Sequence, residues 1–227
     1  TEPPQAKPEG RIEDFLEYRW TPEFLANFTR NAGLMDLLQN PDLDDDDRGA
    51  LRREDLAADP VDQFRLWFDD ACGVGLLEPN AMSLATAGGD GQPSVRTVLM
   101  KYFDSDGFVF FTNLESAKAT QMSENPKVAL LFYWQALERQ VIIRGEAETV
   151  SRKEALAYFV KRPHGSQLGA WVSDQSRVIT SRKILEMKLQ EMKRKFAEGK
   201  VPLPSFWAGY RVRPRELQFW QDRPSRL

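Results

Sequence analysis

AMSLATAGGDGQPSVRTVLMKYFDSDGFVFFTN, residues 81–113, is the stretch on which the fold turns. Ala81 to Ala87 predicts a strand, and Gly88-Gly89-Asp90-Gly91 is a turn by composition. Ser94 to Phe103 predicts a second strand, and Asp104-Ser105-Asp106-Gly107 a second turn. Phe108-Val109-Phe110-Phe111-Thr112 predicts a third strand, very apolar. β-branched and aromatic residues at hairpin spacing, with no long helix between them, predict antiparallel pairing.

The same texture continues outward. Val128 to Trp134 and Gln140 to Val150 predict two more strands, and Phe206 to Val212 and Glu216 to Trp220 complete the set. Helices surround them. Thr21-Pro22-Glu23 opens one that runs to about Gln39, and Asp59-Pro60 opens another carrying Val61, Phe64, Trp67, Phe68 and Ala71. Ser116 is placed to cap a short helix before Asn125-Pro126. Ser151 with Glu154 is a capping-box pattern for a helix that stops before Pro163. Ser181 to Ala197 holds Ile184, Leu185, Leu189, Met192 and Phe196 in helical register, with Gly199 just past its end. The expected fold class is mostly β with peripheral helices (α+β), an antiparallel sheet or barrel. Residues 1–50 read as an N-terminal tail, a helix and an acidic loop, and residues 51–227 as the main domain. Asp42-Leu43-Asp44-Asp45-Asp46-Asp47 lacks the spaced Gly and Glu of a calcium loop, so a solvated loop is expected.

Composition excludes several function classes. Of 227 residues, 41% are hydrophobic and 29% charged, which suits a soluble globular domain. Lys plus Arg is 31 and Asp plus Glu is 34, so the net charge of -3 argues against broad nucleic-acid binding. One cysteine, Cys72, permits neither an intrachain disulfide nor a Cys-rich zinc site. With one histidine, His164, no His-rich metal site is expected. No apolar run approaches the length of about 18 residues that spans a membrane, and residues 1–10 do not read as a secretory signal. A cytoplasmic setting is the expectation.

Three clusters carry chemistry. Arg96 and Lys101 bracket an apolar strand at an odd offset, so one charge is exposed and the other pocketed by an anion, or a dimer seam uses both faces, or both are solvated edge charges. Thr112-Asn113-Leu114-Glu115-Ser116-Ala117-Lys118 delivers hydroxyls, a helix start and a lysine after a strand. That is either an anion cradle or an ordinary cap beside a surface lysine. Tyr158, Arg162 and Ser166 lie four apart around Pro163, where an arginine fork and two hydroxyls suit a phosphate. Gln140 sits at a strand start, where its amide either meets a heterocycle edge or ends a ladder. Trp220 either flanks a ring system or packs in the core.

In their order and spacing these segments resemble the pyridoxine (pyridoxamine) 5′-phosphate oxidase family. The resemblance runs from about Leu51 to Leu227. It rests on Arg96 to Lys101, Phe111-Thr112-Asn113, Gln140, Arg162-Pro163 with Ser166-Gln167, Trp171-Val172-Ser173 with Gln175-Ser176, Val201 to Trp207, and Phe219-Trp220-Gln221 with Arg226-Leu227. It implies an FMN-binding split β-barrel working as a homodimer, with the flavin at the subunit interface. It implies that Arg96, Thr97, Val98, Leu99, Met100, Lys101, Phe111, Thr112, Lys118, Gln140, Gln175, Ser176 and Trp220 contact FMN. Lys101, Tyr158, Arg162, Ser166 and Arg226 would contact the substrate, with Arg226 against the reacting carbon. The implied reaction oxidises pyridoxine or pyridoxamine 5′-phosphate to pyridoxal 5′-phosphate, with O2 as acceptor and H2O2 as product.

Three departures stand out. The family's basic residue before Lys118 is replaced by Ala117, which removes one phosphate contact. Its Arg-Leu-His-Asp-Arg motif is met here by Arg226-Leu227, and the family's C-terminal end is expected to continue beyond. Its basic-and-Tyr segment near the N-terminus maps roughly onto the Asp run. The competing readings are a split-barrel flavin oxidase acting on phenazine precursors and a non-catalytic FMN or pyridoxal-phosphate carrier.

Overall fold

The computed structural model of the chain describes residues 56–173, 175–176, 181–197 and 199–222. The helix expected from Thr21, the acidic run and Arg226 lie outside these residues. Helix α1, Pro60–Gly73, starts where Asp59 accepts a hydrogen bond from the Val61 N–H at 2.7 Å, with proline at the first helical position. Its apolar stripe of Val61, Phe64, Trp67 and Ala71 is buried against the sheet. Phe64 meets the rings of Phe103, Phe108 and Phe132 edge-on at 4.8–4.9 Å. Burying each such side chain contributes about 1.5–3 kcal/mol.

Seven strands follow: β1 (Ala81–Ala87), β2 (Pro93–Leu99), β3 (Tyr102–Asp104), β4 (Gly107–Asn113), β5 (Lys127–Trp134), β6 (Arg139–Thr149) and β7 (Trp207–Gln221). Every pairing is antiparallel, in the order β2-β1-β5-β6-β7-β4-β3, and the sheet curls into a half-barrel. The helices lie between strands: α2 (Ala117–Glu124), α3 (Arg152–Phe159), α4 (His164–Val172) and α5 (Arg182–Lys195). The mostly-β architecture with peripheral helices read from the sequence is the one observed.

Three boundaries differ from expectation. The single strand expected over Ser94–Phe103 is two, because the chain changes partner. β2 pairs with β1 as far as Leu99, then the Lys101 N–H donates to the Val109 carbonyl at 2.8 Å and β3 pairs with β4. The two strands expected around Pro214 are one, β7. A bulge between Arg144 and Gly145 lets the proline into the ladder, and a Cβ at Gly145 would stand 2.1 Å from the Arg213 carbonyl oxygen. Helix α4 was unexpected because Gly165 and Gly169 lower its helix propensity.

Strand β4 separates two apolar clusters. Phe108 and Phe110 belong to the barrel core with Met82, Leu84, Phe132 and Val212. Phe111 belongs to a second cluster, where Ala155, Phe159, Leu168 and Trp207 pack under α3 and α4. Gly209 pairs with Phe111 across the ladder, and a Cβ there would stand 2.7 Å from its ring. Gly209→Val is therefore expected to displace that ring and destabilise the protein by about 1–3 kcal/mol, read as a lowered melting temperature.

Candidate functional site

At the C-terminal end of β4 the chain gathers cations, hydroxyls and amides. Lys118, in the first turn of α2, donates to Thr112 Oγ1 (3.0 Å), Ser116 Oγ (3.1 Å) and Gln175 Oε1 (2.7 Å). Thr112, the second-last residue of β4, is buried and donates to the same Gln175 oxygen at 3.1 Å. Ser116 stands at the N-cap of α2, but its side chain does not cap the helix. Its hydroxyl donates to the Asn113 carbonyl and accepts from Lys118. Asn113 Nδ2 holds the Ser173 carbonyl at 3.1 Å, which steers the segment carrying Gln175 and Ser176 to this helix start. Ser176 sits in the left-handed region at φ 63°, a strain of about 1–3 kcal/mol for a residue with a side chain, and its Oγ accepts from the Ala117 N–H at 3.1 Å.

Arg96 reaches the same place from β2. Its guanidinium donates to the Leu84 carbonyl (3.1 Å), Thr86 Oγ1 (2.6 Å) and Gln121 Oε1 (3.2 Å). Gln121 lies three residues after Lys118 on α2, so one helix face serves both cations. Burial lowers the pKa of Lys118, and the neighbouring Arg96 charge lowers it further. Burial lowers that of Arg96 as well. Among the described residues neither cation is paired with a carboxylate. Two half-buried like charges, surrounded by hydroxyls and a helix start, have the chemistry that would suit a phosphate monoester.

A second cationic socket lies across β4. The Phe111 ring stacks on Tyr158 (centroids 4.1 Å, 11°) and on Trp207 (5.0 Å, 9°). The Arg162 guanidinium lies over Trp207 at 4.9 Å and over Phe159 at 5.7 Å. Arg162 Nη1 is buried with no hydrogen-bond partner. Burial lowers the Arg162 pKa and raises that of Tyr158. Lys101 is exposed at the β2–β3 junction; burial of part of its chain and the Arg162 charge lower its pKa, while Glu78 opposes them. Ser166 is exposed in the first turn of α4. An unpartnered guanidinium nitrogen beside a second cation is what an incoming phosphate would satisfy.

Other expected site residues fall elsewhere. Val98 and Met100 turn into the barrel core, and Thr97 and Leu99 alternate with them on β2, an edge strand with one side unpaired in the sheet. Gln140 and Trp220 face each other across β6 and β7. Trp220 is twelve residues along β7 from Ala208, the partner of Thr112, about 40 Å at the usual strand rise. Within one chain they do not join the Lys118 socket. Trp220 is 41% exposed, on an outward sheet face shared with Tyr133.

The sequence profile described as pyridoxamine 5′-phosphate oxidase matches residues 68–196, more than half of the chain. The chain belongs to that family.

A second profile, the pyridoxine 5′-phosphate oxidase C-terminal dimerisation region, matches residues 207–227. The pyridoxine/pyridoxamine 5′-phosphate oxidase of Rippkaea orientalis is 63% identical over 180 residues, 79% of this chain and 85% of that protein. The protein of the same name from Crocosphaera subtropica is 62% identical over 79% of this chain and 84% of its own length. Among solved structures, PhzG from Burkholderia lata 383, in complex with tetrahydrophenazine-1-carboxylic acid, superposes with a TM-score of 0.74 at 27% identity. That match covers 79% of this chain and 89% of that one.

The structure adds residues to the two clusters that the sequence reading does not single out as site residues. Thr86 is a buried hydroxyl on the inward, otherwise apolar face of β1, and that break in alternation was its signal. Gln121 was legible as the helical neighbour of Lys118. Trp207 reads as part of a strand and of the Val201–Trp207 stretch, with no site role.

Proposed function

We propose that this chain is an FMN-dependent oxidase converting pyridoxine or pyridoxamine 5′-phosphate to pyridoxal 5′-phosphate. The observation that carries the reading is the pair of cationic sockets on opposite faces of β4, one per phosphate. Arg96, Lys118, Thr112, Gln175 and Ser176 hold the FMN phosphate, and the stretch from Thr97 in β2 through Lys101 at the junction after it lies along the cofactor, whereas Phe111, expected on the cofactor, lines the second socket with Tyr158. When bound, FMN supplies the two-electron acceptor chemistry, with O2 as final acceptor and H2O2 as product. Tyr158, Arg162 and Ser166 bind the substrate phosphate, and Lys101 faces the same anion. Holding the substrate there against the cofactor converts an encounter of two bodies into an intramolecular step. Arg226, outside the described residues, is proposed to stand against the reacting carbon.

The active form is a homodimer. The dimerisation-region match over residues 207–227 supports it, as does the distance of Gln140 and Trp220 from the Lys118 socket of their own chain. A second copy brings this pair to the flavin. Residues 51–227 form the oxidase domain. Among the described residues no helix is long and apolar enough to cross a membrane, and the setting proposed is cytoplasmic.

A phenazine-type substrate is the second reading, favoured by the PhzG superposition. The unpartnered Arg162 nitrogen favours a phosphorylated substrate instead. Peroxide release is expected with pyridoxine 5′-phosphate and to fall steeply with pyridoxine. Equal turnover of the two would reject the phosphate assignment, and a yellow protein releasing no peroxide would point to a carrier.

A further inference from the structure

We propose that Glu154 is a positioning residue, whose carboxylate ties the helix bearing Tyr158 to the strand junction bearing Lys101. This rests on the reading that Tyr158, Arg162 and Lys101 receive the substrate phosphate. Glu154 Oε1 accepts from the Tyr102 hydroxyl and from Arg211 Nη2 at 3.3 Å. Tyr102 directly follows Lys101 and opens β3. Glu154 precedes Tyr158 by four residues, one helical turn, so the two share a face of α3. Arg211, the fifth residue of β7, is only 12% exposed and also binds Asp104 at the far end of β3. One guanidinium thus grips β3 at both ends, directly through Asp104 and through Glu154 at Tyr102.

The connection has a physical purpose. Lys101 and Arg162 lie close enough for their charges to repel, and an anion is what draws them together. Helix α3 has only eight residues, with Ala155 and Phe159 its buried ones, so packing alone fixes it loosely. A socket for one phosphate tolerates little displacement of its walls. The capping-box pattern assigned Glu154 to the helix start. Ser151 Oγ does accept from the Glu154 N–H at 3.1 Å, but the carboxylate itself goes to Tyr102 and Arg211. The side chain therefore has a task that the cap does not explain.

The test uses the FMN-loaded enzyme with Glu154→Ala, Glu154→Gln and Tyr102→Phe. Asp104 still pairs Arg211 in each variant, and Tyr102→Phe removes a single hydroxyl, so the fold is retained. Glu154→Ala is expected to raise the KM for pyridoxine 5′-phosphate about tenfold, and the inhibition constant of inorganic phosphate equally, with kcat within about twofold. FMN per chain stays constant. Glu154→Gln, which keeps an acceptor oxygen for Tyr102, recovers most of the loss, and Tyr102→Phe raises KM about threefold. An unchanged KM in Glu154→Ala and Tyr102→Phe overturns the proposal, as does a KM that rises only alongside FMN loss. Arg162→Ala in the same assay separates the two readings. If it raises KM while Glu154→Ala does not, only the positioning role falls; if it too is silent, the phosphate socket itself is wrongly placed.

Discussion

Replacing Arg162 by alanine raises the KM for pyridoxine 5′-phosphate about a hundredfold while FMN content stays constant. A hundredfold is about 2.7 kcal/mol, within the range for charge-assisted hydrogen bonds to a phosphate. The preference for phosphorylated over dephosphorylated substrate narrows by a similar factor. Stability does not fall in step. Arg162 Nη1 is buried without a hydrogen-bond partner, and its removal relieves a desolvation cost that offsets the lost packing on Trp207. Steady-state kinetics and flavin absorbance, measured on one preparation, check the two halves separately. Loss of flavin at unchanged KM would place Arg162 in the other socket.

Lys118→Ala has the reverse signature. FMN dissociates about thirtyfold more readily, the equivalent of about 2 kcal/mol for a lysine that supplies charge and donors to one phosphate. The KM for substrate, measured with FMN in excess, changes little. The fold survives because Thr112 still donates to Gln175 and Ser116 to Asn113 once the ammonium is gone. Without an anion Lys118 and Arg96 repel, so inorganic phosphate should raise the melting temperature of the apo wild type by mass action. The variant should lose most of that response. Full retention of yellow colour through dialysis, with an undiminished response to phosphate, would remove Lys118 from the cofactor site.

Much of this was legible in residues 81–113, because period-two alternation and Gly-Asp turns are local signals. The hop from β1 to β4 at Met100 was not. It leaves the strand pattern unbroken and changes only the partner, and pairing between distant strands leaves no mark in a window of ten residues. Pro214 misled for the complementary reason, since its compensation, Gly145, lies on another strand. The anion sockets were half legible. Lys118, Thr112, Tyr158 and Arg162 announced themselves by chemistry and spacing. Thr86 and Gln121 left local signals, a hydroxyl on an apolar face and a place one helical turn from Lys118, but the partners of Thr86, Gln121, Trp207 and Glu154 became visible when the curled sheet set β1, α2, β7 and α3 beside them.

The alternation of β4 has a consequence for ligand spacing. Thr112 faces the Lys118 side and Phe111 the Tyr158 side, and they are consecutive residues. On the proposed assignment of one phosphate to each face, the offset between the two ligands would be set by covalent backbone geometry, the stiffest ruler a protein possesses, and rotamer changes at the rim would leave it untouched. Swapping side chains can retune affinity for either molecule, whereas inserting or deleting one residue in β4 would invert which molecule each wall addresses.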